Sequence, residues 1–176
     1  TVNYKKTHSQ TLLPMLDEIS NMTELDLSTI DAIAVAGGPG SFTGLRIGSA
    51  TAKGLGLALE KPLISIPTTA AIAYNIWDTN KFVCPIMDAR RNQVYTGIYR
   101  FVDHGLATIR EQQAKGIEEL IEEINALGEP AVFLGDGIPV FKEQILSGCK
   151  VPVSFAPVHL NKQKAGAVAA LAARYY

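Results

Sequence analysis

The chain contains 176 residues, carries a formal net charge of -1 and is 47% hydrophobic. That length and apolar content suffice for a packed core and exclude an intrinsically disordered chain, and the near-zero charge excludes a bulk basic field for nucleic acid. The two cysteines, Cys84 and Cys149, lack metal-ligand spacing, which is typical of a protein from a reducing compartment. Since the sequence shows neither a membrane-length apolar run nor a basic start followed by an apolar segment, we expect a cytoplasmic protein.

The first half of the sequence alternates helix-like and strand-like segments. Ser9 is the predicted N-cap of a helix with apolar residues at Leu12, Leu13, Leu16 and Ile19. The segments that follow are a buried strand over residues 30–36, a helix from Ser41 to about Glu60, a strand over residues 63–66 and, with Pro67 in its first turn, a helix over residues 68–77. Alternation of this kind predicts an α/β layer.

The second half opens on two strand-like runs and continues with helices. The predicted elements are strands over residues 82–87 and 94–101, a helix over 116–127, a buried strand over 131–134, a helix over 139–146 and an alanine-rich helix over 162–176. Gly135-Asp136-Gly137 is the predicted turn after the buried strand. We therefore expect two α/β lobes joined near residue 78.

A glycine-rich turn joins the strand at residues 30–36 to the helix that starts near Ser41. In the segment AGGPGSFTG, residues 36–44, free backbone N–H groups and the helix dipole suit an anion, with Gly38 and Ser41 as candidate contacts. The alternative is that the glycines form a tight turn and Ser41 caps the helix. The segment is neither a P-loop, because no Gly-Lys-Ser/Thr follows, nor a dinucleotide-binding fingerprint.

Small residues recur every four positions along that helix. Gly44, Gly48, Ala52 and Gly56 lie on one face, although a glycine inside a helix costs about 1 kcal/mol relative to alanine. A compensating close contact is therefore expected. It is made either with a sheet of this chain or with a helix of a partner subunit.

Residues suited to catalysis do not form a recognisable set. His8, His104 and His159 show no metal-ligand spacing, and His8 suits a capping or surface role. Asp136 lies between two glycines after a buried strand, where either a ligand contact or plain turn chemistry is expected.

A charged segment connects the two strands at the start of the second half. It contains Asp88, Arg90 and Arg91. We interpret it as a charged hairpin turn, and the alternative is a contact with RNA phosphate.

Three stretches of the sequence resemble the TsaB (YeaZ) family. The most specific is GPGSFTGLRIG at residues 38–48, followed by AKGL at residues 52–55. Residues 8–14 resemble the family's first helix, and DARR at residues 88–91 with Val94-Tyr95 resembles a hairpin of its second lobe. The remainder is similar in pattern only, through residues 135–137 and the last helix.

The resemblance implies an actin/Hsp70-like (ASKHA) α/β fold, with residues 1–77 and 162–176 in the first lobe and residues 78–161 in the second. It also implies an N-terminal hairpin with an Asp-Thr-Ser-like segment, which this sequence lacks, so we expect a trimmed chain. In the related TsaD, a His-x-x-x-His pair holds a metal ion. The corresponding positions here are Thr68 and Ile72, which do not replace imidazole as ligands, and residues 88–91 replace the glycine-rich phosphate hairpin of TsaD.

The resemblance therefore implies a non-catalytic scaffold or activator subunit that binds TsaD, together with the ATPase TsaE, for N6-threonylcarbamoyladenosine modification of tRNA next to the anticodon. ATP or ADP and the metal ion are expected on the partner subunits, tRNA is expected to join through the complex, and a homodimer is expected in their absence. The residues expected at the interface are Gly40, Ser41, Phe42, Gly44, Leu45, Gly48, Ala52, Leu55 and Gly56. The alternatives are an ATP-dependent carbamoyl transferase, a glycoprotease-like enzyme, and a sugar-kinase-like enzyme with Asp136 as its catalytic aspartate.

Overall fold

The computed structural model describes residues 8–176, with side chains from Gln10 onward. Its contacts divide the chain into two units. The first runs to Ile66 and resumes with Val168–Tyr176, and the second is Pro67–Ala167. The lobe boundaries expected from the sequence, after residue 77 and before residue 162, differ from these unit boundaries because the helix that follows Pro67 packs on strands of the second unit.

The first unit contains two long helices and a two-stranded sheet. Its elements are α1 (His8–Met22), a 3-10 turn (Leu27–Thr29), β1 (Ile33–Gly38), α2 (Phe42–Leu59) and β2 (Leu63–Pro67). β1 and β2 form the sheet, α2 packs on β1, and α1 packs on α2.

The helix predicted near the start of the chain is confirmed as α1, with two corrections. Ser9 is not its N-cap, because the helical backbone already includes His8. The side chains of both residues lie outside the described part of the chain, so the capping or surface role of His8 stays a prediction. The apolar side chains of Leu13, Leu16 and Ile19 are exposed rather than packed.

The segments β1, α2 and β2 follow the sequence closely. β1 begins at Ile33 rather than Ile30, and it is mostly half-buried rather than buried. α2 begins after Ser41 and ends where Glu60 adopts a left-handed conformation with φ 54°. Pro67 ends β2 and is the N-cap of the next helix rather than a residue of its first turn.

The second unit contains a five-stranded mixed sheet. Its elements are α3 (Thr68–Ala73), β3 (Phe82–Arg90), β4 (Gln93–Val102), β5 (Gly105–Gly116), α4 (Ile117–Leu127), β6 (Ala131–Leu134), α5 (Ile138–Gly148), β7 (Val153–Phe155) and a 3-10 turn (Val158–Leu160), and α6 (Ala165–Ala172) crosses the unit boundary. The strand order is β5-β4-β3-β6-β7. β4 pairs antiparallel with β3 and β5, whereas β6 pairs parallel with β3 and β7. Apolar residues of β3, β4, β6, α4 and α5 form the core of this unit.

Two strands of this sheet are absent from the sequence prediction. β5 lies at an edge of the sheet and most of its residues are half-buried or exposed, so it lacks the apolar pattern of a buried strand. β7 has 3 residues, too few to show any alternation. Both strands are specified by pairing with a neighbour rather than by their own sequence.

The helices predicted after Pro67 are confirmed in order, but two are shorter than predicted. α3 ends at Ala73 rather than near residue 77, and α6 covers Ala165–Ala172 rather than residues 162–176. α4 buries an apolar face with helical spacing that includes Ile117, Leu120 and Ile124. Among residues 8–176, no helix combines the length and the apolar character needed to cross a membrane.

Candidate functional site

The start of α2 is capped by the chain itself. β1 ends at Gly38, whose φ is 109°, and the turn then leads to Ser41. Ser41 Oγ accepts a hydrogen bond from the Gly44 N–H at 3.3 Å, and the Ser41 carbonyl accepts one from the Leu45 N–H at 2.8 Å. The capping role considered for Ser41 is therefore confirmed. The anion contact at Gly38 and Ser41 stays a prediction, and the cap takes up one of the N–H groups that an anion would use.

Gly48 and Gly56, two members of the small-residue stripe of α2, face the sheet of the first unit. A Cβ atom at Gly56 would lie 2.9 Å from Leu63 Cδ2 and 3.1 Å from the Lys61 carbonyl oxygen, and one at Gly48 would lie 4.0 Å from a β1 side chain. Ala52, between them, is buried. The stripe therefore makes close contacts inside this chain. Its use in a subunit interface stays a prediction.

The opposite face of α2 is exposed. Phe42 is 68% exposed and Leu57 83%, and the Arg46 guanidinium lies 3.8 Å from the centroid of the Phe42 ring. Gly54 is exposed, and a Cβ atom there would meet nothing within 4 Å. Of the residues expected at the interface, Gly40, Ser41 and Phe42 are exposed, and those half-buried are Gly44, Leu45, Gly48 and Leu55.

Helix α1 adds further exposed apolar side chains to the first unit. Leu13, Ile19 and Met22 are all more than half exposed, and α1 packs directly on α2. We call the set Leu13, Ile19, Met22, Phe42 and Leu57 the α1–α2 surface. The sequence correctly indicates the helices that carry it, but not that these side chains stay exposed.

The turn between β6 and α5 lies against β3. The Gly137 N–H donates to the Ile86 carbonyl oxygen at 3.1 Å, and a Cβ atom at Gly135 would lie 2.1 Å from that oxygen. Glycine at position 135 is thus required by close approach of two backbones. Asp136, between the two glycines, is exposed. Turn chemistry accounts for the glycines, and a ligand contact by Asp136 stays a prediction.

The residues at the metal-binding positions implied by the family do not fit a metal ion. Thr68 and Ile72 are buried in α3, and an isoleucine side chain has no ligand atom. Among the described residues, no three His, Cys, Asp or Glu side chains are grouped to hold a metal ion. His104 Nδ1 lies 2.8 Å from Asp78 Oδ2, and His159 is exposed.

Neither thiol is an activated nucleophile. Burial raises the pKa of Cys84, which lies in the core of the second unit, and the nearby Cys149 raises it further. Burial also raises the pKa of Cys149. A raised pKa lowers the fraction of reactive thiolate at neutral pH.

The sequence gives no sign of a buried polar network that connects α3 to the sheet. Thr69 Oγ1 donates to Gln112 Oε1 at 2.9 Å and lies 2.7 Å from the Tyr99 hydroxyl. Thr69 is fully buried, so these hydrogen bonds fix α3 on β4 and β5. The network depends on β5, a strand that the sequence does not predict.

Comparison with known proteins relates the chain to tRNA-modification proteins. The family model described as TsaD, tRNA N6-adenosine threonylcarbamoyltransferase, matches residues 3–174. The chain is 33% identical over 141 residues to tRNA threonylcarbamoyladenosine biosynthesis protein TsaB of Bacillus subtilis, covering 80% of this chain and 62% of that protein. It is 36% identical over 120 residues to the Escherichia coli protein of the same name, covering 67% of this chain and 52% of that protein. The chain thus spans between about half and two thirds of these relatives.

A solved structure shares the fold. The crystal structure of a Pseudomonas aeruginosa protein, described as uncharacterized with similarity to peptidase YeaZ, matches with a TM-score of 0.80 and 25% identity, over 96% of this chain and 76% of that one. The predicted actin/Hsp70-like (ASKHA) α/β fold is therefore confirmed. Sequence and structure agree that the chain belongs to the TsaB (YeaZ) family, within the wider family that the TsaD model describes.

Proposed function

We propose that this chain is a non-catalytic activator subunit for N6-threonylcarbamoyladenosine modification of tRNA at the adenosine next to the anticodon. Its direct partner is a TsaD-type threonylcarbamoyltransferase, which a TsaE-type ATPase and the tRNA join. The names of the curated relatives, tRNA threonylcarbamoyladenosine biosynthesis protein TsaB, support the pathway. The observation that carries the partner-binding role is the α1–α2 surface.

The α1–α2 surface has the chemistry of a protein interface. Large apolar side chains left exposed on two helices that pack on each other suit a protein partner, and burying one such side chain contributes about 1.5–3 kcal/mol. Gly54, with no atom within 4 Å of its Cβ position, lets a partner backbone approach α2 beside Leu57. We propose that the same surface forms a homodimer when the TsaD-type partner is absent.

A non-catalytic role is supported by the side chains at the positions where a relative would carry out chemistry. Thr68 and Ile72 do not fit a metal ion, and both thiols have raised pKa values. ATP or ADP and the metal ion are accordingly proposed to lie on the partner subunits. The expected anion or nucleotide contacts, Gly38 and Ser41 in the first unit and Asp136 in the second, are kept as separate secondary proposals.

An enzymatic role is the second candidate. It is favoured by one observation, that the matching family model is described as a threonylcarbamoyltransferase. In that case the chain alone would transfer a carbamoyl group or hydrolyse a substrate in a metal-dependent reaction. The buried isoleucine at one of the implied metal positions argues against it.

The role is tested by reconstitution with single omissions. The protein, a TsaD-type protein, a TsaE-type protein, an activated threonylcarbamoyl donor and tRNA are combined, and modified adenosine is counted. We expect modification to collapse when this protein is omitted, and the protein alone to produce none. Unchanged modification without it would refute the activator role, and turnover by the protein alone would establish the enzymatic one.

The binding surface is tested with two matched substitutions. Leu57 in α2 is 83% exposed and Val158 in the second unit 82%, so aspartate at either position leaves the fold intact. We expect Leu57→Asp to weaken association with the TsaD-type partner by about tenfold or more, or roughly 1.4 kcal/mol, and Val158→Asp to leave it unchanged. Equal affinities for the two variants in analytical ultracentrifugation would exclude α2 from the interface.

A further inference from the structure

Two neighbouring arginines, Arg90 and Arg91, differ from the other arginines of the chain. Both are exposed, Arg90 as the last residue of β3 and Arg91 in the turn to β4; we call this segment the Arg90–Arg91 turn. Within residues 8–176, neither guanidinium is paired with a carboxylate, stacked on a ring or hydrogen-bonded. The arginines that do have such a contact are Arg46, Arg100, Arg110 and Arg174. The chain therefore leaves two adjacent guanidinium groups available to another molecule.

The backbone that carries these arginines is unfavourable for them. Arg90, Arg91 and Asn92 have φ values of 66°, 52° and 59°, a region that non-glycine residues avoid because of clashes at Cβ. Asparagine and glycine would reverse the chain here at lower cost. The same conformation occurs at Asp103 and His104, in the turn between β4 and β5, so it is a feature of tight hairpin turns in this sheet. The two unpaired guanidinium groups are what favour a ligand here.

The strained turn is held in place from three sides. Asp88 Oδ1 accepts a hydrogen bond from the Arg90 N–H at 2.7 Å. The Asn92 carbonyl accepts one from the Ile117 N–H at 3.3 Å, and Asn92 Oδ1 accepts one from Gln144 Nε2 at 3.5 Å. The turn is therefore fixed to α4 and α5. It presents its two guanidinium groups from a rigid base, which lowers the entropy lost when they bind.

We propose that the Arg90–Arg91 turn binds phosphodiester groups of RNA. Guanidinium groups match phosphate oxygens with paired hydrogen bonds, and two adjacent ones suit a ligand with regularly spaced anions. The net charge of -1 provides no general attraction for a polyanion, and Asp136 is exposed on a turn that packs against the same strand. The proposed contact therefore depends on these two side chains. The inference rests on the proposed function, since it assigns this chain a direct contact with the tRNA.

The contact is tested by fluorescence anisotropy with labelled tRNA, both on the protein alone and on its complex with the TsaD-type partner. We expect the double variant Arg90→Gln/Arg91→Gln to bind roughly tenfold more weakly near 0.1 M salt, with a salt dependence shallower by about 1–2 in log–log slope. Arg90→Lys/Arg91→Lys should keep most of that slope, because it retains the charges. Glutamine is as strained as arginine in this turn, so unfolding temperatures should agree within the series.

A second pair of substitutions controls for charge. Arg110 and Lys150 are also exposed in the second unit, and Arg110→Gln/Lys150→Gln makes the same change in net charge. We expect this control to bind tRNA as the unchanged protein does. An equal loss in both pairs would show a diffuse charge effect and overturn the proposal.

Two further outcomes separate this proposal from the proposed function. If the complex assembles and depends on this protein, but the glutamine pair leaves the tRNA affinity and salt slope unchanged, the RNA contact is refuted and the activator role stands. If the glutamine pair instead loses the TsaD-type partner, the arginines bind an acidic protein surface and the RNA contact is again refuted. If no complex with the TsaD-type partner forms, the tRNA titration of the protein alone tests the RNA contact. An unchanged affinity of the glutamine pair in that titration would refute the contact.

Discussion

Two glycines of α2 should respond in opposite ways to the same substitution. Gly54 is exposed, with no atom within 4 Å of its Cβ position, whereas Gly56 is buried against Leu63 and the Lys61 carbonyl group. Alanine at position 54 gains helix propensity without a clash, so we expect Gly54→Ala to stabilise the protein by about 1 kcal/mol. The substitution adds only a methyl group to the exposed face.

At position 56 the same gain is outweighed by overpacking. The added Cβ atom would lie 2.9 Å from Leu63 Cδ2, which can move, and 3.1 Å from the backbone oxygen of Lys61, which cannot move freely. The Gly56 carbonyl also accepts the N–H groups of Glu60 and Lys61 that end the helix. Overpacking of this kind costs about 1–3 kcal/mol. After the gain in helix propensity, we expect a net loss of about 1 kcal/mol.

The two variants are compared by thermal unfolding followed by circular dichroism. A difference of about 2 kcal/mol between them corresponds to roughly 4–8 °C in Tm for a chain of this size. Gly54→Ala and Gly56→Ala make the same substitution in the same helix, so their effects on the unfolded chain largely cancel when the two Tm values are compared. Shifts of the same sign and size would show that Gly56 does not face β2 closely, and would refute the orientation assigned to α2.

Other predictions concern the second unit. Lys115→Met removes a buried ammonium group from its ion pair with Glu123, whose side chain is 29% exposed. We expect the free energy of unfolding, measured in urea, to fall by about 2–3 kcal/mol, which is less than the full cost of breaking a buried pair. The double variant Lys115→Met/Glu123→Leu should recover part of that loss. Thr69→Val should lower the free energy of unfolding by about 1–3 kcal/mol, because it removes the hydrogen bonds of Thr69 to Tyr99 and Gln112. Iodoacetamide should label Cys149 slowly and Cys84 only after unfolding, as mass spectrometry would report, because burial raises the pKa of both thiols. Because folding raises the pKa of both thiols, their contribution to the free energy of unfolding is fully present below the usual thiol pKa of 9.0. That contribution declines as the pH rises above 9.0.

Local signals account for the elements that the sequence predicts well. Ser41 caps α2, and the apolar spacing of α4 places Ile117, Leu120 and Ile124 in the core. Each signal lies within a few residues of the structure that it specifies. β5 is different, because its half-exposed residues are ordered by pairing with β4 along their whole length. A prediction from local sequence patterns cannot detect such pairing, because it depends on a second segment of the chain.

The faces of α2 can be recognised from the sequence, but which face packs on the sheet cannot. Spacing along α2 correctly places Gly48 and Gly56 on one face, but it does not show that this face lies on β1 and β2. A residue on another face, Gly54, is left open, and Leu57 beside it is exposed. The sequence contains a signal for that face, since Ala50, Gly54 and Ala58 also recur every four positions. Only the position of the sheet decides between the two stripes.

The two proposed contacts differ in chemistry, and salt separates them. The α1–α2 surface of the first unit is apolar, so its association with a protein partner should persist or strengthen as sulfate is added. The Arg90–Arg91 turn of the second unit is cationic, so its contact with RNA should weaken steadily as salt rises, because counterions compete for the phosphates. A single binding surface would not bind its protein partner more tightly and tRNA more weakly as the salt concentration rises. A complex that keeps its protein partner at high salt while it releases tRNA is therefore the behaviour that these two sets of side chains require.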